Sequence, residues 1–560
     1  MSRRRRAVVT QEAVLRRCLR IVDASGIVPQ TERWRTEDRV RAGKGLGGRP
    51  KIVGDRALLA VWLTLAATFQ PMHVESMAEL IEGLDDEILD ELGIVRSAIT
   101  PDWYSRCWRS LHSLLDLIDA HPIRRDLGGD RRNKMTKAQF DALLAKRDPE
   151  ETARNAKRLA WFANALVEAS LLECPREIRR RWKGNAAVDG TLVRAWGAEG
   201  TSKKSNWVAS EPDGGWYCRG GDHSDTKANG ERIGWGWELT LVAMCANLGD
   251  APADFPLLAL GVAFDRPGHQ PGKLATSVFR SIVGRGHPAG LAIGDRAYLP
   301  GSKPENYQLP VRSLGYDHIG EYRSDMAAIT VAEQGAIQVD GAWYCPSMPA
   351  DLINASVDKR QGTIDAATWR ARMNRRTSYL LRPNGRTDVD GYQRWRCPAS
   401  GPSPTATCPL KGEPARAGLT AVTITPKHPD KVCTQQSITI SPSPGAKWRQ
   451  DLQYGTDAWQ TEMGKRNGIE SFNAGLKRTQ YGALDAPGNR QVRGRTAAFV
   501  FTTMIVVAEN LRLIDSFVAN QAQVPAPKPR AKRRRDLPGS WGEESPLRQQ
   551  RAGPAPPAAA

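Results

Sequence analysis

The chain has 560 residues, with 80 Lys and Arg against 61 Asp and Glu, a formal charge of +19 and a pI near 9.7. Hydrophobic residues make up 40% and charged residues 25%, ordinary globular usage that excludes a wholly disordered or fibrous chain and leaves room for several domains. The basic balance points to a polyanionic partner, and the longest apolar runs, 57–68 and 497–508, fall short of the ~18 residues that suggest a membrane span, so no membrane partner is expected.

Residues 1–45 read as a basic N-terminal arm, solvated like the far end of the chain. Its opening, Met1-Ser-Arg-Arg-Arg-Arg, runs into Thr10-Gln-Glu and not into the apolar stretch of a secretory signal, which predicts a cytoplasmic location. Nine cysteines, an odd number over a long chain, favour reduced thiols or metal ligation over a disulfide framework.

Residues 56–69 (RALLAVWLTLAATF), with Gly48-Arg-Pro50 ahead of them, read as a largely buried helix, and 73–82 (HVESMAELIE), after the break at Pro71, as a second. Two short helices joined by a tight turn fit a helix-turn-helix and equally fit two core helices of an α-helical domain. Helical patterning continues through 110–119 and 138–168, with Asp148-Pro149 as a break. The expectation for 46–172 is a helical, DNA-binding region.

The pattern then changes. Segments 186–196 (AAVDGTLVRAW), 237–246 (WELTLVAMCA) and 257–264 (LLALGVAF) read as successive strands of antiparallel character, 272–285 as a helix, and 290–298 (GLAIGDRAY) as a fourth strand running into a loop. An α/β domain over 185–300 is resumed, on this reading, at 446–516, where helices are expected over 461–477 and 496–514. Between them, 301–445 reads as an irregular, partly β insertion with short strands near 378–382 and 437–440. Residues 517–560 read as a basic, Pro/Ala-rich disordered tail containing VPAPKPRAKRRR at 524–535 and ending in Pro and Ala at 554–560.

Three acids stand out. Asp189 lies inside an apolar strand, where a carboxylate needs a cation or donors to offset burial, and Asp295 ends another. Either alone is an ordinary strand-end aspartate. Glu470 sits on a helix whose geometry can be worked out: at about 100° per residue, Arg466, Glu470, Asn473 and Lys477 share one wedge, beside an apolar stripe of Ile469, Phe472 and Leu476. An exposed helix with i, i+4 ion pairs would look similar, but Gly464, Gly468 and Gly475 cost helix stability and imply the close approach of another backbone or a ligand.

The order Asp189-Gly-Thr, Gly294-Asp295-Arg-Ala-Tyr298 and Arg466-x3-Glu470-x6-Lys477 resembles the DDE transposases of bacterial insertion sequences, in particular the group with a Tyr-x2-Arg-x3-Glu-x6-Lys signature. Met463 stands where that group has its tyrosine. The resemblance spans roughly 186–514 and implies an RNase H-like catalytic domain following the helical region. In such a domain Asp189, Asp295 and Glu470 bind two Mg²⁺ ions, Mn²⁺ being a substitute, while Arg466 and Lys477 hold phosphates. The implied partner is double-stranded DNA, both element ends and target, with a homodimer in the synaptic complex. Two other classes fit the same residues: a catalytically silent DNA-binding regulator, and a metal-dependent nuclease without strand transfer.

Lesser candidates are Asp265 and His269, which a turn on Arg-Pro-Gly explains, and Trp235 and Trp237, which read as sheet-core residues before base-stacking ones. In the insertion, Cys345, Cys397, Cys408 and Cys433 are candidate zinc ligands, three of them in Cys-Pro pairs that resemble knuckle turns. No Cys-x2-Cys pair accompanies them, and buried free thiols are the alternative.

Overall fold

The computed structural model describes residues 3–45, 51–94, 102–121, 132–200, 204–219, 231–322, 326–412 and 417–522. Gly48-Arg-Pro50 and the tail segments 524–535 and 554–560 lie outside the described residues. Helix takes 46% and strand 15%, a mixed architecture, and the chain divides into two compact units: Met1–Glu321 with Gln460–Val518, and a second built on Tyr322–Trp459.

The first unit begins with helices. In α1 (Arg3–Ser25) apolar residues recur every three or four positions, so Leu15, Cys18, Leu19 and Val22 share a buried face. Gly26, at φ 67°, ends it in the left-handed conformation, and α2 (Ile27–Arg41) follows at once, burying Ile27 and Trp34. The stretch expected as a solvated arm is thus core structure from Leu15 onward. Its arginines are taken up by acids elsewhere in the unit: Arg17 meets Glu173 and Asp515, each at 2.8 Å, and Arg16 meets Glu91 at 3.0 Å.

Helix α3 (Asp55–Ala67) has no solvent face, since every residue from Ala57 to Ala66 is buried. Helix α4 (Val74–Glu82) buries Met77, Leu80 and Ile81 and turns Glu75, Glu79 and Glu82 outward. As a helix-turn-helix this pair offers phosphate an acidic face, which like charge opposes; its visible role is packing. Helices α5 (Asp86–Leu92), α6 (Trp103–Ile118), α7 (Lys137–Ala145) and α8 (Pro149–Leu171) complete the group. The Asp148-Pro149 break is the start of α8: Asp148 caps it by accepting the Glu150 N–H at 2.9 Å, and Pro149 takes the first helical position.

A six-stranded sheet follows, formed by β1 (Ala186–Arg194), β2 (Gly215–Arg219), β3 (Glu231–Met244), β4 (Ala259–Asp265), β5 (Leu291–Gly294) and β6 (Asp317–Gly320). The order is β2-β3-β1-β5-β6, with β4 also paired to β3. β1 is central, antiparallel to β3 and parallel to β5, while β4 runs antiparallel to β3 and β6 parallel to β5. Helix α9 (Pro271–Gly284) links β4 to β5 and buries Ala275, Val278, Phe279 and Ile282 in a core shared with Val188, Val242 and Ala292. Short α10 (Gln308–Ser313) leads into β6. The sheet domain therefore runs past residue 300, and the second unit starts at Tyr322 and ends at Trp459, later at both ends than the composition shift suggests.

The first unit closes with three helices, α11 (Asp457–Gly464), α12 (Asn467–Lys477) and α13 (Arg495–Ala522), so the one helix expected over 461–477 is two. Helix α13 reaches eight residues beyond Ile514, into the stretch expected as tail. It is long and apolar enough to cross a membrane, with a mean hydropathy of 1.6, yet 89% of that window is buried inside the protein. Two asparagines fasten helices to β4: Asn164 of α8 bonds the N–H and C=O of Val262, both at 3.0 Å, and Asn510 of α13 bonds those of Ala259 at 2.8 and 3.1 Å. A strand backbone left unpaired there would lose these bonds without compensation.

The second unit is built of short pieces. β7 (Ile329–Glu333), β8 (Ala336–Val339) and β9 (Ala342–Tyr344) form a meander, β10 (Arg382–Pro383), β11 (Gln393–Arg396) and β14 (Ser437–Ile440) a second sheet, and β12 (Ala406–Thr407) and β13 (Thr420–Ala421) a parallel pair. One core unites them, including Trp343, Tyr344, Leu352, Leu381 and Ile438.

Candidate active site

Asp189 sits where the central strand meets its parallel neighbour's end. On β1 it lies opposite Leu241 of β3, and the residue before it, Val188, lies opposite Gly294, the last residue of β5. Asp295 follows directly, so the two aspartates leave adjacent strands at the same level. Asp295 then shapes the turn beyond the strand, its Oδ1 accepting the Ala297 N–H at 2.9 Å and its carbonyl that of Leu299 at 2.9 Å.

Helix α12 presents the wedge expected of it. Ile469, Phe472 and Leu476 are buried, and Arg466, at the helix entrance, sends Nη2 to Asp189 Oδ1 at 3.2 Å and Nη1 to Glu470 Oε1. Asn473 donates through Nδ2 to the other Asp189 oxygen at 2.9 Å, giving the amide a direct part in fixing the acid. Glu470 is half exposed, at 51%, whereas Asp189 retains 15%. Lys477 closes the helix seven residues after Glu470, about two turns on and on the same side.

The charges respond to one another. Burial pushes the Asp189 carboxyl up to about 6; Arg466 pulls it down, and Asp295 and Glu470 push it up again. For Arg466, burial works against the charge, but Asp189, Asp295 and Glu470 together outweigh it and its pKa is raised. One guanidinium therefore serves three acids, and the site remains short of positive charge. Among the described residues, no three His, Cys, Asp or Glu side chains close on a common point as a finished metal cage. Glu470 is turned to Arg466 and would have to leave it to join the aspartates.

A fourth acid belongs to this neighbourhood. Glu238 of β3 accepts the Gly268 N–H at 2.8 Å and lies so close to Gly190 that a Cβ there would stand 2.0 Å from its Oε1. Burial pushes its carboxyl up to about 7, with Asp295, Asp189 and Asp265 adding to the rise and the Gly268 N–H opposing it. In sequence, Trp237-Glu-Leu-Thr240 carries the same signal as Asp189, an acid within an apolar strand, which the patterns around the three acids do not include. Gly190 is glycine because Glu238 fills the space of a side chain.

The two glycines within α12 answer to side chains: a Cβ at Gly475 would meet Glu509 Oε1 at 2.1 Å and one at Gly468 would meet Leu257 at 2.9 Å, so neither a backbone nor a ligand makes the close approach there. Gly464, at the end of α11, faces open space, and no close approach accounts for it. Glu509 cannot yield easily, because Arg512 holds both its oxygens at 2.6 and 2.7 Å. Gly475→Ala is expected to lower stability by about 1–3 kcal/mol through overpacking, despite alanine's better helix propensity; a urea midpoint equal to or above wild type would refute this.

Other candidates fall outside the triad. Asp265, the last residue of β4, pairs with Arg495 at 2.9 Å and with His269 at 3.0 Å. Trp237 is core, packed on Phe264, and half-buried Trp235 donates its ring N–H to the Glu211 carbonyl at 3.2 Å. Cys345, Cys397, Cys408 and Cys433 are all buried in the core of the second unit.

No protein-family model matches the chain, and no curated protein matches it.

Proposed function

We propose that this chain is a DNA transposase of the DDE type, which cuts at the ends of its element and joins the 3′-hydroxyl ends to target DNA. The observation that carries the reading is the link from Arg466 to both Asp189 and Glu470, residues 281 positions apart in sequence, beside Asp295 on the neighbouring strand. The strand arrangement supports an RNase H-like core: three antiparallel strands, β4, β3 and β1, continue into two parallel ones, β5 and β6.

The donor set fits Mg²⁺, with Mn²⁺ as substitute. Carboxylate oxygens suit hard cations, and the burial-raised Asp189 shows a demand for positive charge that Arg466 does not meet in full. Asp189, Asp295 and Glu470 would hold two ions. Such a pair supplies Lewis-acid activation of the attacking oxygen and stabilises the leaving oxygen of an in-line phosphoryl displacement. The chain's own residues do the rest. Asn473 keeps Asp189 oriented, Lys477 offers a positive charge to a DNA phosphate, and Arg466, once it releases the acids, becomes a second phosphate donor. In the reaction the attacking water or 3′-hydroxyl oxygen bonds to phosphorus as the bond to the 3′-oxygen breaks.

The partner is double-stranded DNA, with two chains bringing two ends together. The test is Mg²⁺-dependent nicking and joining on DNA carrying the gene's own flanking sequences, wild type against Glu470→Gln. One defined cut followed by joining, both lost in the variant, is expected. Sequence-specific binding without metal-dependent cleavage would instead assign the chain as a silent regulator, and cleavage without joining as a nuclease.

A further inference from the structure

We propose that Cys345, Cys397, Cys408 and Cys433 form a structural zinc site in the second unit. The inference does not depend on the transposase reading. The four thiols come from four separate segments yet share one core, and each is 5 or 6% exposed.

Hydrogen bonds tie these segments together. Cys397 follows β11 directly and donates its N–H to Gln436 O at 3.0 Å, which brings it to the segment of Cys433. Lys411, in the turn after Cys408, donates to Gln435 O at 2.6 Å in that same segment. Cys345 donates to Tyr379 O at 2.9 Å, and Thr405, three residues before Cys408, bonds Ser378 O at 3.1 Å. These bonds tie Cys397 and the turn after Cys408 to the segment of Cys433, and tie Cys345 and the approach to Cys408 to the neighbouring residues Ser378 and Tyr379.

The local turns are alike as well. In Cys345-Pro-Ser-Met, Cys397-Pro-Ala-Ser and Cys408-Pro-Leu-Lys the fourth residue donates its N–H to the cysteine carbonyl, at 3.1, 3.0 and 3.0 Å. Three copies of one thiol-bearing turn in a single core suit ligation, where a turn aims backbone N–H groups at the sulfur.

As they stand, the sulfurs do not close into a cage of three or more ligands. Ligation requires the side chains to turn inward about their Cα–Cβ bonds and to lose their protons to solvent as the ion binds. The second unit has reason to gain from this, since its strands β10, β12 and β13 are only two residues long and supply little ladder.

The test is metal analysis of the full chain purified under reducing conditions without chelator, with Co²⁺ reconstitution as a second readout. One zinc per chain is expected, with the absorption of tetrahedral thiolate-bound Co²⁺ after exchange. Cys397→Ser and Cys408→Ser should lose it, and Cys245→Ser, a buried cysteine of the other unit, should keep it. Wild-type protein that holds neither zinc nor Co²⁺ stoichiometrically overturns the proposal, as does iron in place of zinc. Should the serine variants fail to fold, the wild-type Co²⁺ spectrum decides alone.

Discussion

Asp189→Asn is expected to abolish Mg²⁺-dependent DNA cleavage, by at least about a thousandfold, while making the folded protein more stable at pH 8. Both effects come from one carboxylate. The amide keeps the shape and can still face Asn473 and Arg466, but it loses the negative oxygen that a hard cation needs. The stability gain follows from linkage. Burial first, then Asp295 and Glu470, raise this carboxyl from 3.8 to about 6, so the folded state holds its proton more tightly than the unfolded chain does. Stability therefore falls as pH rises between these values, and the ionised aspartate penalises the fold at any pH above about 6. With 15% of the side chain exposed and Arg466 alongside, the variant should gain about 1–2 kcal/mol at pH 8, a difference that vanishes below the ordinary 3.8. Denaturant melts of both proteins at pH 8 and pH 4 measure this. An Asn variant less stable at pH 8 would show that the carboxylate supports the fold, and unchanged cleavage would remove Asp189 from the chemistry.

Arg376→Met should destabilise the second unit by about 3–5 kcal/mol, the usual cost of removing one member of a buried ion pair. The side chains of Arg376 and Asp340 are 0% and 1% exposed, with Nη1 at 2.5 Å from Oδ2. Arg376 also donates to the carbonyls of Leu352 at 2.6 Å and Ile353 at 3.0 Å, and Ser356 donates to Asp340 at 2.5 Å. Methionine fills a similar volume but takes a charged donor from two carbonyls and leaves a buried carboxylate without its cation. Adding Asp340→Leu should recover a large part of the loss, because the stranded charge goes with it. Thermal unfolding followed by tryptophan fluorescence, with Trp343 a buried reporter in this unit, checks both variants. A shift equivalent to less than about 0.5 kcal/mol for Arg376→Met would mean the pair stabilises nothing.

Much of the sheet domain was legible because its strands are near-continuous runs of buried apolar residues and its helices carry their own punctuation. Asp148-Pro149 marked a break, which is where α8 starts, and the α12 wedge followed from a rotation of 100° per residue. Other features depend on tertiary partners and leave weaker traces. Residues 1–45 look like a charged arm until Arg16 is matched with Glu91, 75 residues away, and Arg17 with Glu173 and Asp515, 156 and 498 residues away. The α12 glycines signalled close approach, but only the fold reveals that Glu509 and Leu257 do the approaching. β2 has five residues beside a glycine-rich stretch and too little pattern to be seen. At the site the three acids and Arg466 are legible from spacing, whereas the bond from Asn473 to Asp189 and the place of Glu238 beside Gly190 depend on how β1, β3 and α12 meet.

The second unit interrupts the chain between β6 and the helices that complete the site. During synthesis Asp189 and Asp295 emerge early, and 175 residues separate Asp295 from Glu470. At about 5–20 residues per second the ribosome needs on the order of 10–35 s to bridge that distance, and longer before α13 is released to cover the sheet. A nascent or prematurely terminated chain thus carries two of the acids with neither Glu470 nor the Arg466 counter-charge, and an apolar face still waiting for its helix. The discontinuous layout makes completion of translation a condition for an assembled site, so truncated products should be inert and quickly degraded.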